Sequence, residues 1–200
     1  MTPTAPAGLM TAEEFYDWAC LPENADRKWE LDDGIPVEIP TVPPPGELHG
    51  VICWVVAFVL GKYLYHRGAG YLCTNDTGLI VRRRPDVVRG PDVMLFLTSK
   101  PTGRLNRGWA DQVPHLVIEV YSPSDRPGKL NRRITQYLKR GVPLVWVVYP
   151  EDRSVDVYRL GAQTVSLIEG GDDLSAPDVL PDFACKVSDL FALPGTPPAA

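Results

Sequence analysis

The stretch "HLVIEVYSPSD", residues 115–125, decides the fold. Leu116-Val117-Ile118 and Val120-Tyr121 form an apolar run of the kind found in a strand covered on both faces, and Glu119 interrupts it. An unpaired buried carboxylate costs several kcal/mol, so Glu119 must be neutralised by protonation, by a cation or by a bound metal. The same stretch then turns polar. Ser124 or Asp125 is placed to cap a following helix, with Pro127 in its first turn.

Upstream, "RPDVVRGPDVMLF" (84–96) repeats Pro-Asp-Val, but the two aspartates have different sequels. Asp86 lies in a polar, breaker-rich connection that predicts a solvated loop and a structural role. Asp92 introduces Val93 to Leu97, a second continuous apolar run, and so stands at the mouth of the core. Two carboxylates on adjacent strands can share a hard divalent ion, which prefers oxygen ligands and leaves positions for water and phosphate. Asp92 and Glu119 are therefore candidate magnesium or manganese ligands. The alternative pairs Glu119 with a buried arginine and leaves Asp92 to cap a turn. Between Asp125 and Glu151 every charged residue is basic. Lys129, Arg133 and Gln136 there fall on one helical stripe, which could orient a phosphodiester or form a solvated face.

The remaining elements follow from local signals. Thr11 with Glu14 is a capping box for a short helix. Trp29-Glu30-Leu31, the turn Asp32-Asp33-Gly34 and the alternating Ile35, Val37 and Ile39 predict a hairpin. Residues 49–66 are apolar nearly all round, which predicts a deeply packed helix. Tyr71 to Val81, Val93 to Leu97 and Leu116 to Tyr121 read as three strands. An amphipathic helix ending at Gly141 and strands at 144–149 and 155–158 come next. The order helix, three strands, helix, strand predicts an α/β fold, of α+β type, around a mixed sheet.

Composition narrows the function classes. The chain has 200 residues, 44% of them hydrophobic and 22% charged, in keeping with one globular domain. The formal net charge of -5 argues against coating nucleic acid through the overall field, although local clusters can hold phosphates. Cys20, Cys53, Cys73 and Cys185 form no CxxC pair and are expected reduced and mostly buried. The longest apolar run, Val51 to Leu60, is shorter than a bilayer span, so no membrane association and a cytoplasmic location are expected. Trp29, Trp54, Trp109 and Trp146 read as core or interface residues, with no platform for stacked bases.

Taken in order, "MTAEEF" with "LPEN", "WELDDGIPVEI", "HGVI", "RGPDVMLF", "PHLVIEVYSPSD", "QYLKRGVPLVWVVYPEDRSVDVYR" and "LPDFACKVSDLF" resemble the Uma2 family (DUF820) of the PD-(D/E)XK nuclease superfamily. The resemblance implies one domain over residues 9–192, and the ends, 1–8 and the Pro-rich 193–200, are expected from composition to be disordered. It implies a restriction-endonuclease-like core of αβββαβ order with a four-stranded mixed sheet, an added amino-terminal hairpin and extra carboxy-terminal strands. It further implies a metal-dependent DNA endonuclease using Mg2+ or Mn2+, with Asp92 as the motif aspartate and Glu119 as the acid of the (D/E)XK element. Tyr121 stands where the superfamily lysine usually lies. The position matching the lysine that the family carries on the next helix is Arg133, and Lys129, one turn earlier, is the preferred substitute. Glu30 and His49 match further family positions of functional weight, with Glu47 a lesser alternative to Glu30. A catalytically degraded module that binds nucleic acid or a protein partner is the competing reading. Exposed sheet edges allow a homodimer.

Overall fold

Thr11 caps the first helix through the expected box, its hydroxyl accepting from Glu14 N–H while the Glu14 carboxylate accepts from Thr11 N–H. The computed structural model describes residues 8–39, 46–123 and 127–195. The candidate caps Ser124 and Asp125, and the tail residues 1–7 and 196–200, lie outside that range. Helix α1 spans Ala12–Ala19 and precedes the hairpin of β1 (Trp29–Asp32) and β2 (Ile35–Glu38). The turn holds Asp33 and Gly34 at φ 52° and 78°, the left-handed pair that a two-residue hairpin requires.

Helix α2 (Glu47–Arg67) leads into β3 (Tyr71–Thr74), β4 (Leu79–Arg82), β5 (Val87–Arg89), β6 (Val93–Phe96) and β7 (Leu116–Val120). Helix α3 (Pro127–Arg140) follows, then β8 (Leu144–Tyr149), β9 (Ser154–Arg159), β10 (Ser166–Glu169), β11 (Asp173–Ser175) and β12 (Ala184–Lys186). The main sheet has the order β10-β9-β8-β7-β6-β3, and its one parallel pair is β7 with β8. The α/β class and the order α2, β3, β6, β7, α3, β8 agree with the expected core. The sheet is six-stranded rather than four, because β9 and β10 extend it by antiparallel pairing.

Three details depart from the sequence reading. The run Tyr71 to Val81 is two strands in different sheets, broken where Asn75 and Asp76 take positive φ. β4 and β5 join the amino-terminal hairpin in a second sheet, β2-β1-β5-β4. Asp86 is buried rather than in a solvated loop. It accepts from the N–H groups of Ala12 and Arg84 and pairs with Arg83, and so anchors the start of α1.

Strand alternation divides the core. Leu116, Ile118 and Val120 face α2 and the carboxy-terminal segment, whereas Val117 faces α3 with Leu130, Ile134 and Tyr137. A third cluster joins α1 to the small sheet through Phe15, Leu31, Ile80 and Val88. Helix α2 is not packed all round. It buries Ile52, Val55, Val56, Leu60 and Leu64 but leaves Trp54 and Phe58 about half exposed and stacked on each other. By length and composition it is long and apolar enough to cross a membrane, contrary to the reading from its longest unbroken run. All four cysteines are free, with Cys20 exposed and the others half-buried, so the expectation of mostly buried thiols fails.

Candidate active site

The antiparallel register pairs Val93 with Ile118, so Asp92, one residue before β6, stands beside Glu119 at the end of β7. Asp92 is fixed there by its Oδ2, which accepts from Val120 N–H at 2.7 Å. Its Oδ1 lies 3.4 Å from His49 Nε2 on the first turns of α2. That carboxylate, together with the nearby Cys53 thiol, raises the His49 pKa to about 10 and so keeps the ring an imidazolium. Burial pushes the Cys53 thiol up.

Glu119 turns the other way, toward α3. Alternation along β7 places it on the Val117 face, where Tyr137 O–H donates to Oε1 at 2.5 Å and Arg133 Nε approaches the same oxygen at 3.1 Å. The residue is only 7% exposed. Burial lifts its pKa to about 8 despite Arg133, and the Asp92 charge adds to the rise. The partner that a buried carboxylate requires is thus an arginine and a tyrosine on one helical stripe, i and i+4.

Glu30 reaches this cluster from β1, in the other sheet. Its Oε1 lies 3.3 Å from Arg133 NH2 and accepts from Gly90 N–H at 3.3 Å, while Oε2 lies 3.5 Å from Arg89. Arg89 is buried and also holds Asp32, the Leu31 carbonyl and Gln136. Of the six residues singled out from sequence, Asp92 with His49 and Glu119 with Arg133 and Glu30 form two clusters that meet at the β6–β7 strand end. Lys129 is exposed on the first turn of α3, away from the contacts that surround Glu119. Glu47 is exposed at the α2 start. Cys53, Arg89 and Tyr137 were not anticipated. Only Cys53 carried a signal, the His-to-Cys spacing of four on a helix.

The profile of the Uma2 family, described as "Putative restriction endonuclease", matches residues 12–188. The chain belongs to the Uma2 family. No curated protein matches it. Its fold is similar to the crystal structure of a putative nuclease belonging to DUF820 from Anabaena variabilis ATCC 29413, with a TM-score of 0.70 and 22% identity over 91% of this chain and 97% of that one. Membership in Uma2 supports a nuclease-like function. It also gives the acidic pair a context, because restriction-endonuclease-like families generally depend on a divalent metal.

Whether such an ion fits can be judged from the residues themselves. A carboxyl that resists ionisation beside a second carboxylate is a place where added positive charge is favoured, and both groups offer the oxygen ligands a hard cation takes. The residues fit.

Proposed function

We propose that this Uma2 protein hydrolyses DNA phosphodiester bonds at the junction of β6 and β7. The observation that carries the reading is Glu119, buried in the apolar strand beside Asp92, where burial raises its pKa and Arg133 and Tyr137 contact it. Asp92 and Glu119 would hold Mg2+ or Mn2+, which when bound supplies Lewis-acid charge for water activation and for the phosphoryl oxygens. Burial opposes the charge of Arg133, but Glu119, Tyr137 and Glu30 outweigh that and keep it protonated. It therefore serves as a fixed positive group for a phosphoryl oxygen, not as a base. His49 holds a proton at Nε2 against Asp92 and orients that carboxylate from α2. Exposed Lys129 offers an electrostatic contact to the flanking phosphates.

A second reading is favoured by one observation: Arg133 already neutralises Glu119 in the folded chain, and Tyr121 stands in place of the usual lysine. On that reading the fold is a non-catalytic module for nucleic acid or a protein partner. Calorimetric titration with Mn2+ separates the two. The nuclease reading expects binding in wild type, its loss in Asp92→Ala with the fold intact by circular dichroism, and Mn2+-dependent nicking of plasmid DNA in wild type alone. Folded wild type that binds no ion and leaves the plasmid intact would overturn it in favour of the module.

A further inference from the structure

We propose that His49, Cys53 and Asp92 form a second, softer metal site that takes zinc or a chemically similar transition ion. Their ligand atoms converge, all within 4.8 Å of one another. His49 Nε2 lies 3.5 Å from Cys53 Sγ and 3.4 Å from Asp92 Oδ1. A tetrahedral ion bonded at ordinary zinc distances separates a sulfur from a nitrogen by about 3.5 Å and a nitrogen from an oxygen by about 3.3 Å. Two of the three edges of a zinc site are thus already in place. The third, between Cys53 Sγ and Asp92, lies within 4.8 Å.

The backbone supports the arrangement. His49 and Cys53 stand four residues apart on α2, one above the other on the face toward the sheet, and Asp92 is held at the β6 entry by the Val120 amide. Thiolate and imidazole select softer ions, whereas magnesium prefers an all-oxygen shell. Three protein ligands also leave a fourth position open to water or to a phosphate oxygen. Binding displaces the thiol proton of Cys53 and the Nε2 proton of His49 to solvent, leaving a thiolate, a neutral ring and a carboxylate around the ion. Because Asp92 belongs to both sites, a soft ion there excludes the hard ion shared with Glu119. This competition rests on the nuclease reading, but occupancy of the soft site does not.

Titration of the full chain with Co2+ tests occupancy. A near-ultraviolet thiolate-to-cobalt band should appear with tetrahedral visible absorption, and Zn2+ should bleach both. The band should vanish in Cys53→Ser and persist in a Cys20, Cys73 and Cys185→Ser triple variant; Cys53→Ala replaces the serine variant should that fail to fold. In Glu119→Gln the band should remain while Mn2+-dependent cleavage is lost, so failure of either reading is seen separately. Wild type without a thiolate band, or a band that survives loss of Cys53, overturns the site.

A different surface carries a second inference: we infer that a second copy of this chain docks antiparallel along α2. Gly50, Trp54, Ala57, Phe58, Gly61 and Tyr65 fall within one outward stripe at 100° per residue. Trp54, Phe58 and Tyr65 are 48%, 52% and 91% exposed. A Cβ added at Gly50 would meet open space, and one at Gly61 only a Leu72 methyl at 4.0 Å. With a two-fold axis between residues 57 and 58, Trp54 meets Gly61, Phe58 meets Ala57 and Tyr65 meets Gly50, large against small in every case. The same register brings acidic Glu47 at one helix start toward the basic end of its partner, which carries Lys62, His66 and Arg67, and it opposes the two helix dipoles. Sedimentation of the full chain should give twice 22.1 kDa. Trp54→Gly should yield monomer, and Trp54→Gly combined with Gly61→Trp should restore the dimer by exchanging the two sides of each contact. A monomeric wild type that floats with lipid vesicles, or a dimer indifferent to Trp54→Gly, overturns the pairing.

Discussion

Glu119 is a carboxyl whose ionisation the fold opposes, and its pH dependence has a definite sign. Its folded pKa of about 8 lies above the ordinary 4.5, so the native state holds a proton the unfolded chain releases. The stability this confers is complete below about pH 4.5 and is lost as pH rises through 8. In Glu119→Gln that slope should disappear. Unfolding free energies from urea titration at pH 5 and pH 8.5 should differ less for the variant than for wild type, the gap closing by about a few kcal/mol at most. Identical slopes in both proteins would show that Glu119 ionises freely. Asp92 and Glu119 were legible in the sequence, Asp92 because it opens an apolar run at the mouth of the core and Glu119 because a charge inside such a run is anomalous wherever it occurs. Tyr137 was not, because it sits on the apolar stripe of α3 and reads as core until its hydroxyl is seen 2.5 Å from Glu119. Arg89 looked like part of a polar connection, since nothing local marks an arginine whose partners lie 47 to 59 residues away on β1 and α3.

At the scale of elements, α3 is fastened to the sheet by apolar packing and by Arg133. Replacing Arg133 with alanine strips one polar partner from Glu119 and leaves Glu30 with Arg89 as a cation, and the expected cost at neutral pH is about 2 kcal/mol in chemical denaturation. Arg133→Lys keeps a charge but not the fork that spans two carboxylates, so it should recover only part of the loss. Equal stability of all three proteins would remove Arg133 from the structural account. A smaller test lies in α1: Thr11→Ala removes the capping hydroxyl and should lower stability by about 1 kcal/mol, read as a shift in Tm. The box and the hairpin were readable from four-residue patterns. The depth of α2 was not, because an apolar composition reports what a helix could bury and its neighbours decide which side does so. β5 escaped notice as well, being three residues long between breakers.

On the scale of the whole molecule, the main sheet carries Asp92 and Glu119 while the small sheet supplies Glu30, and Arg89 ties the two together through Glu30, Asp32 and Gln136. Arg89→Met should therefore act at a distance. Hydrogen exchange should quicken in both β1 and α3, with a global loss of about 3 kcal/mol; protection that changes only around residue 89 would argue that the sheets are independent. The order of the core elements could be read along the sequence, but the second sheet could not. Its strands come from residues 29–38 and 79–89, and their pairing is set by long-range closure between Leu31 and Val88.

The placement of Glu30 on the smaller sheet bears on dissection. A fragment starting at α2 would retain the scaffold strands yet surrender one carboxylate of the arginine clamp and strip the cover from Ile80 and Val88. The added hairpin is therefore part of the candidate site, and a version of this protein trimmed to the main sheet and its helices would lack it.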